Sequence, residues 1–112
     1  MNMHAHILRQ MAFSRGAFGP GERRKGIIEH IRKELIEIEE SDDRATEWVD
    51  VVILALDGLW RAIDAADGGK RTPEEIADDL LFCIATKQGV NERRQWPDWR
   101  TFPQDKAIEH VR

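Results

Sequence analysis

Cysteine is almost absent from this chain of 112 residues, because Cys83 is the only one. A lone cysteine excludes an intrachain disulfide, and a chain without a disulfide framework is typical of a reducing cytoplasm. Residues 1–13 lack the basic segment, apolar run and small-residue cleavage site of a signal peptide. No stretch approaches the ~20 consecutive apolar residues that a membrane span requires. We therefore expect a cytoplasmic protein with no membrane association.

A surplus of positive charge is missing as well, since 17 basic residues stand against 21 acidic ones and the net charge is −4. The sequence thus lacks the electrostatic footprint of nucleic-acid-binding proteins, and we expect no nucleic-acid partner. The length favours one domain over residues 1–112. A domain of this size buries only about 60–70% of its extended-chain surface, so association between copies would add stability.

Strand-like alternation and internal repeats are absent, whereas apolar residues recur at helical spacing over most of the chain. Thr72 and Glu75 are predicted to form a capping box before the last long helix. The sequence predicts an all-α bundle of about four main helices with short connections. The predicted elements are a helix and loop in residues 1–20 (helix 3–13, loop 14–21), helices at 24–40, 44–66 and 73 to about 94, and an irregular tail at 96–112 with a short helix near 106–110.

Two acidic motifs stand out, Glu34-x-x-Glu37 and Glu47-x-x-Asp50. Helical residues three apart lie on the same face, so each motif presents two carboxylates together. On a helical wheel Glu34 falls within the apolar arc of its helix, where an unpaired carboxylate is costly. A hard divalent cation such as Mg²⁺ is the natural counter-charge for converging carboxylates. The alternative is a pair of ion-paired helix faces, and the tandem motifs favour the metal site.

The helix predicted at 44–66 is apolar around most of its circumference, which is typical of a buried helix. A small bundle rarely buries one helix that fully, so we expect a dimer or tetramer with this helix at its centre. Trp48 and Trp60 are expected in the core. Asp57 continues the acidic stripe, and it is either a further ligand or an ion-pair partner of Arg61 at i+4.

The last long helix carries Lys87, Asn91 and Arg94 on one face, at offsets of four and seven residues. Two cations and an amide aligned in this way favour phosphate or base contact. The alternative is an ordinary polar helix end with cations near its C-terminus. Trp96, which precedes a proline, is a weaker candidate for stacking on a base.

Two further residues allow a functional and a structural interpretation. His30 lies one helical turn before Glu34, so it either assists there or is a hydrogen-bonded structural histidine. Cys83 has no histidine and asparagine arrangement that would support a nucleophile, and we expect it to pack as a small apolar residue.

From about residue 18 onward the chain resembles the all-α, MazG-like nucleoside triphosphate pyrophosphohydrolases, and within them the dATP/dGTP diphosphohydrolase family with its MazZ-type enzymes. The stretches that carry the resemblance are FGPGERRKGIIEHIRKELIEIE, EWVDVVILALDGLWRA, KQGVNERRQWPDWR and DKAIEHVR. The resemblance implies a MazG-like fold and hydrolysis of (deoxy)purine nucleoside triphosphates (dATP, dGTP) between the α- and β-phosphates, which yields monophosphate and pyrophosphate. It also implies Mg²⁺, or Mn²⁺ in its place, with two or three ions per site.

The resemblance assigns roles to residues that match the family pattern. The metal-binding acids are Glu34, Glu37, Glu47 and Asp50, and the phosphate-side residues are Lys87, Asn91 and Arg94. We expect Glu34 and Glu37 to be catalytic, with Glu34 orienting or deprotonating the attacking water because it is the most enclosed acid. The rival hypothesis is a non-catalytic, all-α oligomeric scaffold that binds nucleotides or a protein, whose acids would pair with Arg23, Arg24, Arg32 and Arg61.

Overall fold

The computed structural model describes residues 1–112, and they form four α-helices and one 3₁₀ turn with no strand. The predicted all-α fold with about four main helices is therefore confirmed. None of the helices has the length and apolar character needed to cross a lipid bilayer. The helices are α1 (Met3–Phe18), α2 (Arg24–Glu40), α3 (Arg44–Ala66) and α4 (Pro73–Arg93), and the 3₁₀ turn is Trp99–Thr101.

The chain divides into two compact units, residues 1–81 and residues 82–112. In the first unit α2 packs along α3, and α1 packs against α3 on another side. The core of this unit takes residues from α1, α3 and the first part of α4, because each helix turns its apolar stripe inward. Its buried members are Ile7, Met11, Leu56, Trp60, Ile76, Ala77 and Leu80.

Local sequence signals predicted several helix boundaries correctly. Both α2 and α3 have the expected bounds. Before α4, the Thr72 N–H donates to the Glu75 carboxylate at 3.1 Å and the Glu75 N–H donates to the Thr72 hydroxyl at 3.2 Å. This reciprocal pair is the predicted capping box, and it satisfies two backbone donors that the helix itself leaves free.

The loop predicted at residues 14–21 begins later than expected, because α1 continues to Phe18. Ser14 is buried, and its hydroxyl accepts a hydrogen bond from Arg61 at 2.8 Å, so this turn is held in the helix by a distant partner. The helix ends at Gly19, whose φ of 83° lies in the left-handed region that glycine adopts without steric cost. The prediction of a loop from residue 14 was therefore wrong by more than one helical turn.

The short helix predicted near residues 106–110 does not form. Instead the Lys106 N–H donates to the Pro103 carbonyl at 3.2 Å in a single turn. The Val111 N–H donates to the Gln95 carbonyl at 2.8 Å, and this bond fixes the tail in a non-helical path.

Two predictions of burial were wrong for the single chain. Trp60 is buried as expected, but Trp48 is 54% exposed and Cys83 is exposed. Trp48 belongs to a face of α3 that no other helix of the chain covers, together with Val49, Val52 and Ile53. The apolar circumference of α3 thus exceeds what one chain buries.

Candidate functional site

Three of the four predicted acids meet where the end of α2 lies against the start of α3. One carboxylate oxygen from each of Glu34, Glu37 and Glu47 lies within 4.8 Å of the others. The connection between the helices is only residues 41–43, which keeps the two acidic motifs adjacent. Asp43 caps α3 by accepting hydrogen bonds from the backbone and hydroxyl of Thr46, so the direction of α3 is set locally.

Glu34 is the most enclosed member of this acidic cluster. Its side chain is 12% exposed, and its Oε2 is buried without any hydrogen-bond partner. Burial raises the pKa of the Glu34 carboxyl above its ordinary value of 4.5, and the hydrogen bond and charge of Glu37 and the charge of Asp50 add to this. His30, whose Nε2 lies 3.4 Å from Glu34 Oε1, acts in the opposite direction.

Glu47, on α3, is affected by the same group of carboxylates. Burial raises the pKa of its carboxyl, and the hydrogen bond and charge of Glu37 and the charges of Glu34 and Asp50 raise it further. Asp50 is half-buried and its charge acts on both Glu34 and Glu47, so the fourth predicted acid belongs to the same electrostatic group. Mutual repulsion between carboxylates is the physical reason for these shifts.

The donor set of the acidic cluster fits a hard divalent cation. Carboxylate oxygens are the ligands that Mg²⁺ and Mn²⁺ prefer, and a buried carboxylate oxygen without a donor is a group that a cation would satisfy. Of the four acids only Glu34 has a basic side chain within 4.0 Å, that of His30, and no lysine or arginine pairs with any of them. The cluster therefore combines converging ligands with uncompensated negative charge.

Asp57 and Arg61 form the i,i+4 ion pair that was one of the two interpretations of the sequence. The Arg61 Nε–H donates to Asp57 Oδ2 at 3.1 Å, and the Trp60 Nε1–H donates to Asp57 Oδ1 at 2.6 Å. Sequence reasoning missed the other role of Arg61, which also donates to the carbonyls of Gly19 and Gly21 at 2.9 and 2.8 Å. The only signal was an arginine in the polar stripe of a largely apolar helix.

The second unit contains the predicted phosphate-side residues. The Arg94 Nη1–H donates to Asn91 Oδ1 at 3.2 Å, and the Trp96 Nε1–H donates to the Asn91 carbonyl at 2.7 Å. Trp96 also makes an edge contact with His110 at 5.9 Å between ring centroids, a contact that the sequence did not suggest. Lys87 is exposed on α4. Asn91, Arg94 and Trp96 thus form one hydrogen-bonded group.

Comparison with known proteins gives one match. The family model described as dATP/dGTP pyrophosphohydrolase matches residues 7–112, which is nearly the whole chain. No curated protein and no solved structure matches the chain.

Proposed function

The chain belongs to the dATP/dGTP pyrophosphohydrolase family and is a nucleoside triphosphate diphosphatase, and from this premise we propose a metal-dependent reaction at the acidic cluster. The substrates are dATP and dGTP, and the products are the corresponding monophosphate and pyrophosphate. The metal ligands are Glu34, Glu37, Glu47 and Asp50.

The observation that supports this proposal most strongly is the buried carboxylate oxygen of Glu34 that has no hydrogen-bond partner. A carboxylate oxygen that is buried and unpaired costs free energy in the folded protein. Glu37 and Glu47 add two more oxygens within 4.8 Å, which makes the metal-free arrangement more repulsive. Binding sites are often strained in this way, because the ligand supplies the missing interaction.

The ions that fit this site are Mg²⁺ or Mn²⁺, two or three of them, and bound metal would neutralise phosphate charge and favour ionisation of water. The chain's own side chains position the attacking water and accept its proton. Glu34, as the most enclosed carboxylate, orients the water that attacks the α-phosphorus and accepts its proton. Glu37 lies beside Glu34, with a carboxylate oxygen within 4.8 Å of it, and completes the group of ligands around the attacking water.

The other residues proposed to contact the substrate are Lys87, Asn91, Arg94, Trp96 and His30. Lys87 and Arg94 supply positive charge for the phosphates, and Asn91 supplies an amide donor. Trp96 and His30 are weaker candidates for contacts to the base and sugar. The enzyme acts as a homo-oligomer, a dimer or tetramer, and the support for this is the exposed apolar face of α3.

The rival scaffold hypothesis required the acids to pair with arginines. Arg61 instead pairs with Asp57, and the guanidinium of Arg23 lies over the ring of Phe18 at 5.6 Å. These contacts leave the acidic cluster without the ion pairs that a purely structural role needs.

The test is a pyrophosphate-release assay over all canonical and deaminated (d)NTPs, with Mg²⁺ or with EDTA. We expect metal-dependent release of pyrophosphate and monophosphate, with dATP and dGTP preferred. Glu34→Gln should lower kcat by at least a hundredfold, as removal of a general base does. Glu39→Gln, an exposed acid on the same helix, is the matched control. Activity of Glu34→Gln within a few-fold of wild type would refute the role of Glu34.

A further inference from the structure

Two adjoining cavities lie beside the first half of α2. The smaller one, about 100 Å³, is lined mainly by Phe18, Arg23, Gly26, Ile27, His30 and Asp57. The larger one, about 340 Å³, is lined by Arg23, Gly26, Glu29, His30 and Lys33. Three residues line both cavities, so the two spaces share one wall on α2.

This shared wall is on the same face of α2 as the acidic cluster. His30 and Gly26 precede Glu34 by four and eight residues, which corresponds to rises of about 6 and 12 Å along the helix. His30 touches Glu34 at 3.4 Å and also lines both cavities. A nucleotide whose phosphates lie at the acids would therefore extend its sugar past His30 and its base towards Gly26.

The walls of the smaller cavity have the chemistry of a base-stacking slot. The Phe18 ring is partly exposed, and the Arg23 guanidinium lies 5.6 Å from its centroid. Aromatic rings and guanidinium planes are the surfaces on which nucleobases stack. Ile27 and Leu54 add an aliphatic lining. The cavity thus combines an aromatic ring, a guanidinium and aliphatic side chains.

Gly26 keeps this space open. A Cβ at position 26 would lie 3.0 Å from Arg23 Nη2 and 3.6 Å from its Cζ. A methyl group here would require the Arg23 guanidinium to shift by a few tenths of an ångström, and this guanidinium belongs to the wall that the two cavities share. No comparable contact exists at Gly16 of α1, where a Cβ would meet nothing within 4 Å.

Asp57 supplies a hydrogen-bond acceptor to the cavity. Its carboxylate has about four acceptor positions, of which the Trp60 and Arg61 bonds use two. The remaining positions can accept from a donor on a bound base. Adenine offers its N6 amino group, and guanine offers its N1–H and N2 amino group. Cytosine offers its N4 amino group and thymine its N3–H in the same way, so this contact orients the base, and the preference for purines follows from the larger ring that stacks on Phe18.

We propose that this cavity is the base subsite of the enzyme, where a purine stacks on the Phe18 ring and the Arg23 guanidinium that line it and donates a hydrogen bond to Asp57. The inference rests on the proposed function, because it requires a nucleotide with its phosphates at the acidic cluster. Phe18 and Gly26 are then specificity-determining residues for the reaction, and Asp57 positions the base.

The first test is Phe18→Leu, measured by steady-state kinetics on dGTP, dATP, dCTP and dTTP. We expect KM for the purine nucleotides to rise about tenfold, in line with the effect of removing a stacking ring. The value of kcat should stay within a few-fold, and the preference for purines over pyrimidines should fall. Phe82→Leu changes an exposed phenylalanine outside both cavities and should leave all four KM values unchanged.

The second test is Gly26→Ala, which separates binding from folding. Alanine favours a helix over glycine, so Tm should hold or rise. Purine affinity should nevertheless fall several-fold, because the new methyl displaces the Arg23 guanidinium on which the base stacks. Gly16→Ala is the matched control, with the same propensity change and no contact. Titration with dGMP gives affinity independently of turnover.

The outcomes separate the two proposals. If the wild type releases pyrophosphate but Phe18→Leu and Gly26→Ala keep its purine KM values, the base subsite is refuted and the reaction stands. The same conclusion follows if Trp96→Leu alone abolishes purine preference. If the wild type turns over no nucleotide but both variants weaken dGMP binding, the reaction is refuted and the subsite stands.

Discussion

The Nε–H of Arg61 donates to Asp57 Oδ2 at 3.1 Å, and the two side chains are only 0% and 6% exposed. Every other N–H of the guanidinium is also used, because Nη1 donates to the carbonyls of Gly19 and Gly21 and Nη2 to the carbonyl and hydroxyl of Ser14. One buried residue thus attaches the end of α1 and the loop before α2 to α3. Phe18, the last residue of α1, and Arg23, at the end of that loop, both line the proposed base subsite.

We predict that Arg61→Lys lowers the free energy of unfolding by about 3–5 kcal/mol, because lysine cannot form the five-donor arrangement and leaves buried acceptors unpaired. Urea denaturation measures the loss. Arg71→Lys is the matched control, since Arg71 also pairs with an aspartate four residues earlier, at 2.6 Å, but is 34% exposed. It should cost no more than about 1 kcal/mol. Equal losses in the two variants would contradict the structural role given to Arg61.

How far the sequence predicted the structure depends on the range of the interactions involved. The bounds of α2 and α3 and the Thr72–Glu75 capping box follow from contacts within a few residues, so local pattern was sufficient. The approach of Glu34, Glu37 and Glu47 was predictable because a short turn joins two helices with carboxylates on their apolar sides. The bonds of Arg61 to Ser14, Gly19 and Gly21 span 40 or more residues, and no periodicity encodes them.

The acidic cluster should make the metal-free protein less stable than its neutral variants. Glu47→Gln removes one charge from a group in which burial and neighbouring carboxylates already disfavour ionisation. In EDTA we expect the variant to unfold at a higher temperature than the wild type, and Mg²⁺ to raise the Tm of the wild type but not of the variant. Glu39→Gln should respond to Mg²⁺ as the wild type does. Destabilisation of Glu47→Gln in EDTA would favour a structural role for this acid.

The raised pKa values of Glu34 and Glu47 determine whether stability rises or falls with pH. The pKa values of Glu34 and Glu47 are raised above 4.5 in the folded protein, so between 4.5 and the folded value the native state binds more protons than the unfolded state. Stability in EDTA should therefore fall as pH rises through the folded pKa. With saturating Mg²⁺ the slope should reverse, since the metal needs ionised carboxylates. The measurement is urea unfolding from pH 4.5 to neutrality, with the Glu34→Gln, Glu47→Gln double variant as reference. If the free energy of unfolding of the wild type changes with pH as that of the double variant does, the predicted link between ionisation of these two carboxylates and stability is refuted.

The exposed apolar face of α3 is the remaining feature that the single chain does not explain. Trp48 and Val52 lie one turn apart on it, and Leu35 and Ile36 of α2 are exposed as well. A monomer rarely leaves so much contiguous apolar surface in water, and a second copy of the same helix pair would cover it. We predict that the wild type sediments as a dimer or tetramer at micromolar concentration.

Val52→Glu places a charge in the middle of this face and should shift the protein to monomer in analytical ultracentrifugation. Val111→Glu makes the same change at a tail residue of nearly equal exposure, 51% against 53%, and should leave the assembly intact. Because Trp48 adjoins Val52, its emission should move to longer wavelength in Val52→Glu and on dilution of the wild type, but not in Val111→Glu. If the wild type is monomeric at all concentrations, a second copy does not cover this face, and a different molecule must cover it. The site to which the acids at the start of α3 belong would then have to be complete within one chain.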